Sequence, residues 1–198
     1  MHEPGNRKII RTICVFCSSS SAVDSIYSSE AVELGKMLGR EGFDLIFGGA
    51  NVGLMGAVAK AAKNSGTKVI GVIPESFLKK EIAYREADEL IISRDLRERK
   101  GILESRSDAF IALPGGFGTI EEIMEILTLK QLKLHNKPVV FINTNGYYDN
   151  LIAQFETGYR ENFAKKNYKE IYHISKSAED AIDHIKNYSA GYLPDKWF

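Results

Sequence analysis

The chain has 198 residues, 44% apolar and 26% charged, enough for one well-buried domain and too few for two ordinary ones. Its 26 Lys and Arg balance its 26 Asp and Glu, so no global field draws it to nucleic acid and no acidic tail is present. No apolar run approaches the roughly 20 residues that span a bilayer, and the polar stretch Met1–Lys8 lacks the apolar region of a signal peptide. The expectation is a cytoplasmic protein without nucleic-acid or membrane partners.

In chain order, a strand is predicted at 11–17 (RTICVFC), followed by a helix near 24–41 with Asp24 as its N-cap. A strand at 43–47 leads into a glycine turn and a helix at 53–65; a strand at 68–73 follows. The segment 74–88 is the least regular and is expected over the edge or mouth of the sheet. A strand at 90–92 and a helix at 95–106 precede a strand at 108–113. A second glycine turn then opens a helix at 119–134, with Thr119 as its N-cap. A strand at 138–142 and helices at 147–163 and 177–187 complete the pattern. The strands are short, rich in Val, Ile and Phe, and continuous rather than alternating, as strands buried on both faces of a parallel sheet are. Strand–helix alternation implies right-handed crossovers. The fold class is therefore α/β, a Rossmann-like doubly wound parallel sheet in a single domain, with terminal extensions at 1–10 and 190–198.

Cys14 and Cys17 have the spacing of a redox pair but lie in a β-type run, where residues three apart point to opposite faces. A reactive pair needs a helix N-terminus to stabilise its thiolate. Both cysteines read as packing residues. The four histidines, His2, His135, His173 and His184, are scattered without ligand spacing, and no metal site is expected.

Two glycine-rich turns follow strands directly: Phe47 to Gly56 and Leu113 to Thr119. Open parallel sheets bind ligands where such turns meet, beyond the carboxyl ends of the strands. A helix that starts after the turn offers unpaired N–H groups and a positive dipole end to an anion. Neither turn ends in Gly-Lys-Ser/Thr, so neither is a Walker loop. The second has Gly116 and Gly118, but Glu121 stands where a dinucleotide fingerprint needs its third glycine. A carboxylate there disfavours a pyrophosphate, and a single phosphate held by the turn's amides and the Thr119 hydroxyl is the better fit.

Thr119 and Glu122 have capping-box spacing, which gives Glu122 a purely structural alternative. Equally, a carboxylate within a turn of a phosphate cradle can act on the attached ribose. Thr128 lies two turns from Glu121 and faces the same way. In the helix that begins near Asp95, Leu96, Arg99 and Leu103 share one stripe. Arg99 thus points toward the sheet, either into a site, into a buried ion pair, or snorkelling past the core.

Taken together, these segments resemble the Lonely guy family of cytokinin riboside 5′-monophosphate phosphoribohydrolases, often mislabelled lysine decarboxylases. The resemblance runs from about Ile13 to Phe163. It is carried by CVFCSSS (14–20), GGANVGLMG (48–56), VIGVIP (69–74), RERK (97–100), SDAFIALPGGFGTIEEI (107–123), QLKLHNKP (131–138) and NGYYDNL (145–151). The PGGxGTxxE pattern is met in full by Pro114 to Glu122.

The resemblance implies hydrolysis of the N-glycosidic bond of a purine nucleoside 5′-monophosphate, AMP or an N6-prenylated AMP, to free base and ribose 5-phosphate. It places the catalytic pair on Arg99 and Glu122. Substrate contacts fall on Glu81, Lys100, Gly115, Gly116, Phe117, Gly118, Thr119, Ile120, Glu121 and Thr128. It implies no cofactor, and a homodimer or larger homo-oligomer. In that scheme Glu122 stabilises the oxocarbenium-like ribose and orients water, Glu121 takes the ribose hydroxyls, and Arg99 faces the leaving purine. A non-catalytic nucleotide-binding or regulatory module on the same fold is the alternative. A lysine decarboxylase needs pyridoxal phosphate on a lysine and a larger fold, and nothing in the sequence marks such a lysine.

Overall fold

The computed structural model describes residues 9–78 and 82–191. Seven parallel strands form one sheet in the order β4-β3-β2-β1-β5-β6-β7. They are β1 (Thr12–Phe16), β2 (Asp44–Phe47), β3 (Val69–Pro74), β4 (Glu89–Ser93), β5 (Ala109–Ala112), β6 (Val139–Ile142) and β7 (His173–Ser175). The seven α-helices among the described residues are α1 (Ser25–Arg40), α2 (Gly53–Asn64), α3 (Glu75–Leu78), α4 (Leu96–Ser105), α5 (Phe117–Gln131), α6 (Asp149–Arg160) and α7 (Ala178–Lys186).

From β1 the chain winds outward through β2, β3 and β4, then returns to the other side of β1 and continues through β5, β6 and β7. The direction reverses between β1 and β5. Crossovers on the two sides cover opposite faces, so a crevice opens there beyond the carboxyl ends of the strands. One face carries α1, α2 and α7 on Ile13, Val15, Leu45 and Phe47. The other carries α4, α5 and α6 on Cys14, Phe16, Phe110 and Phe141. β1, β2, β3, β5 and β6 are buried nearly end to end, which explains their unbroken apolar runs, whereas the edge strand β4 is only part-buried.

The doubly wound parallel sheet expected from the sequence is thus what forms. The Asp24 cap is also present: its Oδ1 accepts from the Ile26 amide at 2.9 Å. Cys14 and Cys17 are free, buried and packed on opposite faces of the sheet, as their spacing in a strand requires. Burial raises both thiol pKa values.

Three elements differ from the reading of the sequence. β7 was not foreseen, because His-Ile-Ser carries no apolar run; as a three-residue edge strand it needs none. The one-turn α3 was likewise missed. More consequentially, α5 begins at Phe117 rather than Thr119, with Gly116 in the capping position and no side chain bonded there. The helix starts two residues early because glycine leaves room for the turn, so Thr119 is no cap and the Thr119–Glu122 capping box does not form.

Candidate active site

Three loops converge at the reversal between β1 and β5. The Ser18 amide donates to the Pro114 carbonyl at 3.1 Å, and the Ser18 carbonyl accepts from the Leu54 amide at 3.0 Å. The β1 loop therefore bridges the two glycine turns. The segment 82–84 closes over the first turn: the Asn51 amide donates to the Ile82 carbonyl at 2.6 Å and the Tyr84 amide to the Gly49 carbonyl at 2.8 Å. Residues 82–84 of the irregular stretch thus lie at the mouth of the sheet.

Asp95 caps α4 by accepting from the Arg97 and Glu98 amides at 2.8 and 2.9 Å. That fixes the helix register and sends Arg99 inward. Its Nε donates to the Val72 carbonyl at 3.1 Å, and its Nη1 to Glu122 Oε1 at 2.7 Å. The guanidinium lies against the first glycine turn: a Cβ on Gly48 would sit 2.2 Å from Nη2, so a larger residue there must displace the Arg99 head. Glu122, 7% exposed, is buried with it. Burial raises the Glu122 carboxyl above its ordinary value, and the Arg99 guanidinium opposes that rise. Arg99 thus points inward and forms a buried ion pair with Glu122, rather than snorkelling past the core.

Lys100, the next residue, reaches the outer face of α5, where it pairs with Glu121 and, at 2.5 Å, with Glu125. These two carboxylates raise the Lys100 pKa. Beneath them a cavity of about 80 Å³ separates α4 from α5, bounded by Phe16, Lys100, Glu104, Glu122, Glu125 and Ile126. It exceeds the ~10–15 Å³ that one water requires.

The open end of α5 presents backbone N–H groups toward solvent. Gly116 and Gly118 face free space, and Phe117 projects 95% exposed beside them. The first N–H groups of the helix are unpaired by any cap side chain. Thr119 turns back under Gly115, where an added Cβ would lie 2.1 Å from its Oγ1. Ile120 is half-buried behind them, and its amide is already bonded to the Gly116 carbonyl at 3.1 Å.

Arg99, Lys100, Gly115, Gly116, Phe117, Gly118, Thr119, Ile120, Glu121 and Glu122 thus come together. Thr128 does not join them: its hydroxyl donates back to the Met124 carbonyl at 2.8 Å, eleven residues or about 16 Å of helix beyond Phe117. Glu81 lies outside the described residues. Missed as site residues were Tyr147 and Tyr148, whose hydroxyls donate to the Gly115 and Leu113 carbonyls at 2.6 and 2.7 Å. Their pairing in an Asn-Gly-Tyr-Tyr turn was the available signal, but nothing in local spacing shows which carbonyl a tyrosine reaches.

A family model described as "Possible lysine decarboxylase" matches residues 55–185. A rice (Oryza sativa subsp. japonica) relative, "Probable cytokinin riboside 5′-monophosphate phosphoribohydrolase LOG4", is 41% identical over 94% of this chain and 81% of its own. The Arabidopsis thaliana "Cytokinin riboside 5′-monophosphate phosphoribohydrolase LOG3" is 38% identical over 94% and 87%. The chain belongs to the Lonely guy (LOG) family. The LOG-family fold is shared by a solved structure, the molybdenum cofactor binding protein of the phototrophic bacterium Rippkaea orientalis. That match has a TM-score of 0.70 and 25% identity over 90% of this chain and 97% of the other. Among its described residues this LOG chain has no helix long and apolar enough to cross a membrane.

Proposed function

We propose that this LOG-family chain hydrolyses the N-glycosidic bond of a purine nucleoside 5′-monophosphate, of the kind named for its plant relatives, to free base and ribose 5-phosphate. The observation that carries the reading is the buried Arg99–Glu122 pair at 2.7 Å, one helical turn inside an uncapped, glycine-lined helix start. The amides of Gly116 to Thr119 hold the 5′-phosphate at the positive end of α5. The ribose then extends toward Glu122.

Departure of the base leaves positive charge on the ribose C1′, which a nearby carboxylate stabilises more than it stabilises the neutral ground state. Glu122 also orients the attacking water, for which the cavity below it has room. Its raised pKa makes it a better proton acceptor than an ordinary glutamate. Arg99, always charged, favours the ionised form of that carboxylate against its burial and faces the negative charge that develops on the purine. Glu121 takes the ribose hydroxyls, with Lys100 holding it in place. The exposed Phe117 ring and the distant Thr128 belong to the substrate only if a second copy of the chain closes the crevice, so the active form is a homodimer or larger.

The deciding experiment is chromatographic assay of base release from AMP and from N6-isopentenyl-AMP, with Glu122→Gln as control. Release lost in the variant, with folding retained, supports the assignment and ranks the substrates; near-normal activity in the variant removes it. The likeness to a cofactor-binding protein favours a second reading, a non-catalytic binding module. AMP bound with no base released from either substrate would decide for that module.

A further inference from the structure

At the opposite end of α5 lies a second cavity, of about 380 Å³, within the size range of small-molecule sites. Its floor holds Lys130, which is 1% exposed. Among the described residues the Lys130 ammonium makes no hydrogen bond or ion pair; its one contact of note is the Tyr188 ring, 4.9 Å from Nζ. Buried ammonium groups without a counter-ion are costly, and folded proteins resolve them by deprotonation or by a bound anion.

The surrounding groups do not supply that anion. Glu170 lies at the exposed rim and forms no ion pair with Lys130. His184 is stacked on His173 with ring centroids 4.1 Å apart, and burial lowers its pKa to about 4, so it faces the cavity neutral. His135, on the loop after α5, is also shifted toward the neutral form by burial. The Tyr188 hydroxyl is kept protonated by burial and donates to Asn136 Oδ1 at 3.3 Å. That leaves the Asn136 amide nitrogen as a further donor at the rim. Burial alone brings Lys130 down to about 8, so at neutral pH most of the population still carries the charge.

We propose that this cavity is a second ligand site, separate from the Arg99–Glu122 crevice, and that it takes a small anion whose carboxylate or phosphate oxygens accept from Lys130. Phe117 and Lys130 are thirteen residues apart, about 20 Å along α5, so one small ligand does not span both ends. The ammonium and the Asn136 amide are donors suited to an anion, and among the described residues no group of His, Cys, Asp and Glu is placed to hold a metal ion. The Tyr188 ring provides an apolar wall for the body of the ligand.

Site-resolved acetylation with trace acetic anhydride, read by peptide mass spectrometry from pH 6 to 10, tests this on the intact protein. Lys130 should label with a midpoint near 8, where exposed lysines label near their ordinary value. Saturating inorganic phosphate or acetate should raise that midpoint; a one-unit rise slows Lys130 labelling about tenfold at pH 7. Protection by phosphate alone identifies a phosphate ligand, and protection by acetate alone a carboxylate. Lys100, monitored in the same digests, reports separately on the crevice, so failure at one site leaves the other reading intact.

Calorimetric titration of Lys130→Met, whose apolar chain fits the same space, should show one fewer anion site than the unaltered protein. Three results overturn the proposal: no labelling of Lys130 in the folded protein, labelling indifferent to both anions, or an unchanged site count in the variant.

Discussion

In the proposed reaction the charge state of one carboxylate governs the crevice. Glu122 is raised by burial and held down by Arg99, so the acid limb of kcat/KM should fall above the 4.5 of an ordinary glutamate. Replacing Arg99 by Met removes the opposing charge and should move the limb of the residual activity to still higher pH. It should also cost about 3–5 kcal/mol by leaving a buried carboxylate unpaired. A folded-state pKa raised above the unfolded one means that ionisation disfavours the fold. The penalty is therefore full above the folded pKa and relieved as pH falls toward the unfolded value. Thermal unfolding of the variant from pH 8 to 5 should show its deficit shrinking with acidity; a constant deficit would contradict the assignment. Gly48→Ala acts on the same pair sterically, pushing Nη2 from its place. Displacements of about 1 Å can cost about 100-fold in rate, so base release should drop by one to two orders of magnitude. Unfolding should shift only modestly. Arg99's inward direction was legible in its spacing from Leu103, although Leu96, counted on the same stripe, is exposed. The partner of Glu122 was not, because capping-box spacing and an inward carboxylate have the same sequence; only the true start of α5 separates them.

At the level of elements, the second glycine turn is suspended between α5 and the loop after β6. Tyr147 grips the Gly115 carbonyl and Tyr148 the Leu113 carbonyl, while the Asn143 side chain accepts from the Tyr148 amide at 2.7 Å and donates to Asp149 at 2.7 Å. Tyr147→Phe releases the turn beside the α5-start amides that are proposed to hold the phosphate, and should raise KM for the monophosphate several-fold, with little change in kcat. Tyr148→Phe, in the core, leaves a buried carbonyl unpaired and should lower stability by about 1–3 kcal/mol instead. Steady-state kinetics set beside thermal unfolding distinguish the two; equal effects on KM would refute the division of labour. The strands were readable because five of the seven are buried on both faces and carry Val, Ile and Phe without interruption. β7 and α3 were not, since three- and four-residue elements at the periphery draw their order from neighbours rather than from their own composition.

For the molecule as a whole, the sheet order places the reversal at β1, which touches both halves of the fold. The Arg99 side chain spans the same division: α4 brings it from the β4 side to the Val72 carbonyl, and Glu122 meets it from the β5 side. Losing either half of the sheet should therefore remove the site as well as the core. At the β4 edge, Glu89 is chelated by Arg106 at 2.5 and 3.0 Å and approached by Lys68 at 3.3 Å. The Arg106 bond, chiefly, brings its pKa down to about 2. A depressed carboxylate stabilises the fold above its unfolded pKa, and that contribution fades as pH falls from near 4.5 to 2. The side chain is 36% exposed, so Glu89→Gln should cost no more than about 1 kcal/mol at pH 7. Chemical denaturation at pH 7 and pH 3 should show the difference narrowing in acid.

The two thiols at the central strand, Cys14 within β1 and Cys17 just past its end, offer a practical handle of another kind. Cys14 and Cys17 are fully enclosed on opposite faces, so neither meets a thiol reagent until the sheet comes apart around β1. Because each opens toward a different helical layer, the protein carries two built-in reporters of its own breathing. If both are trapped at one common rate, the layers detach together and the fold opens as a single unit; if Cys17 reacts before Cys14, the layer of α1, α2 and α7 is the first to leave.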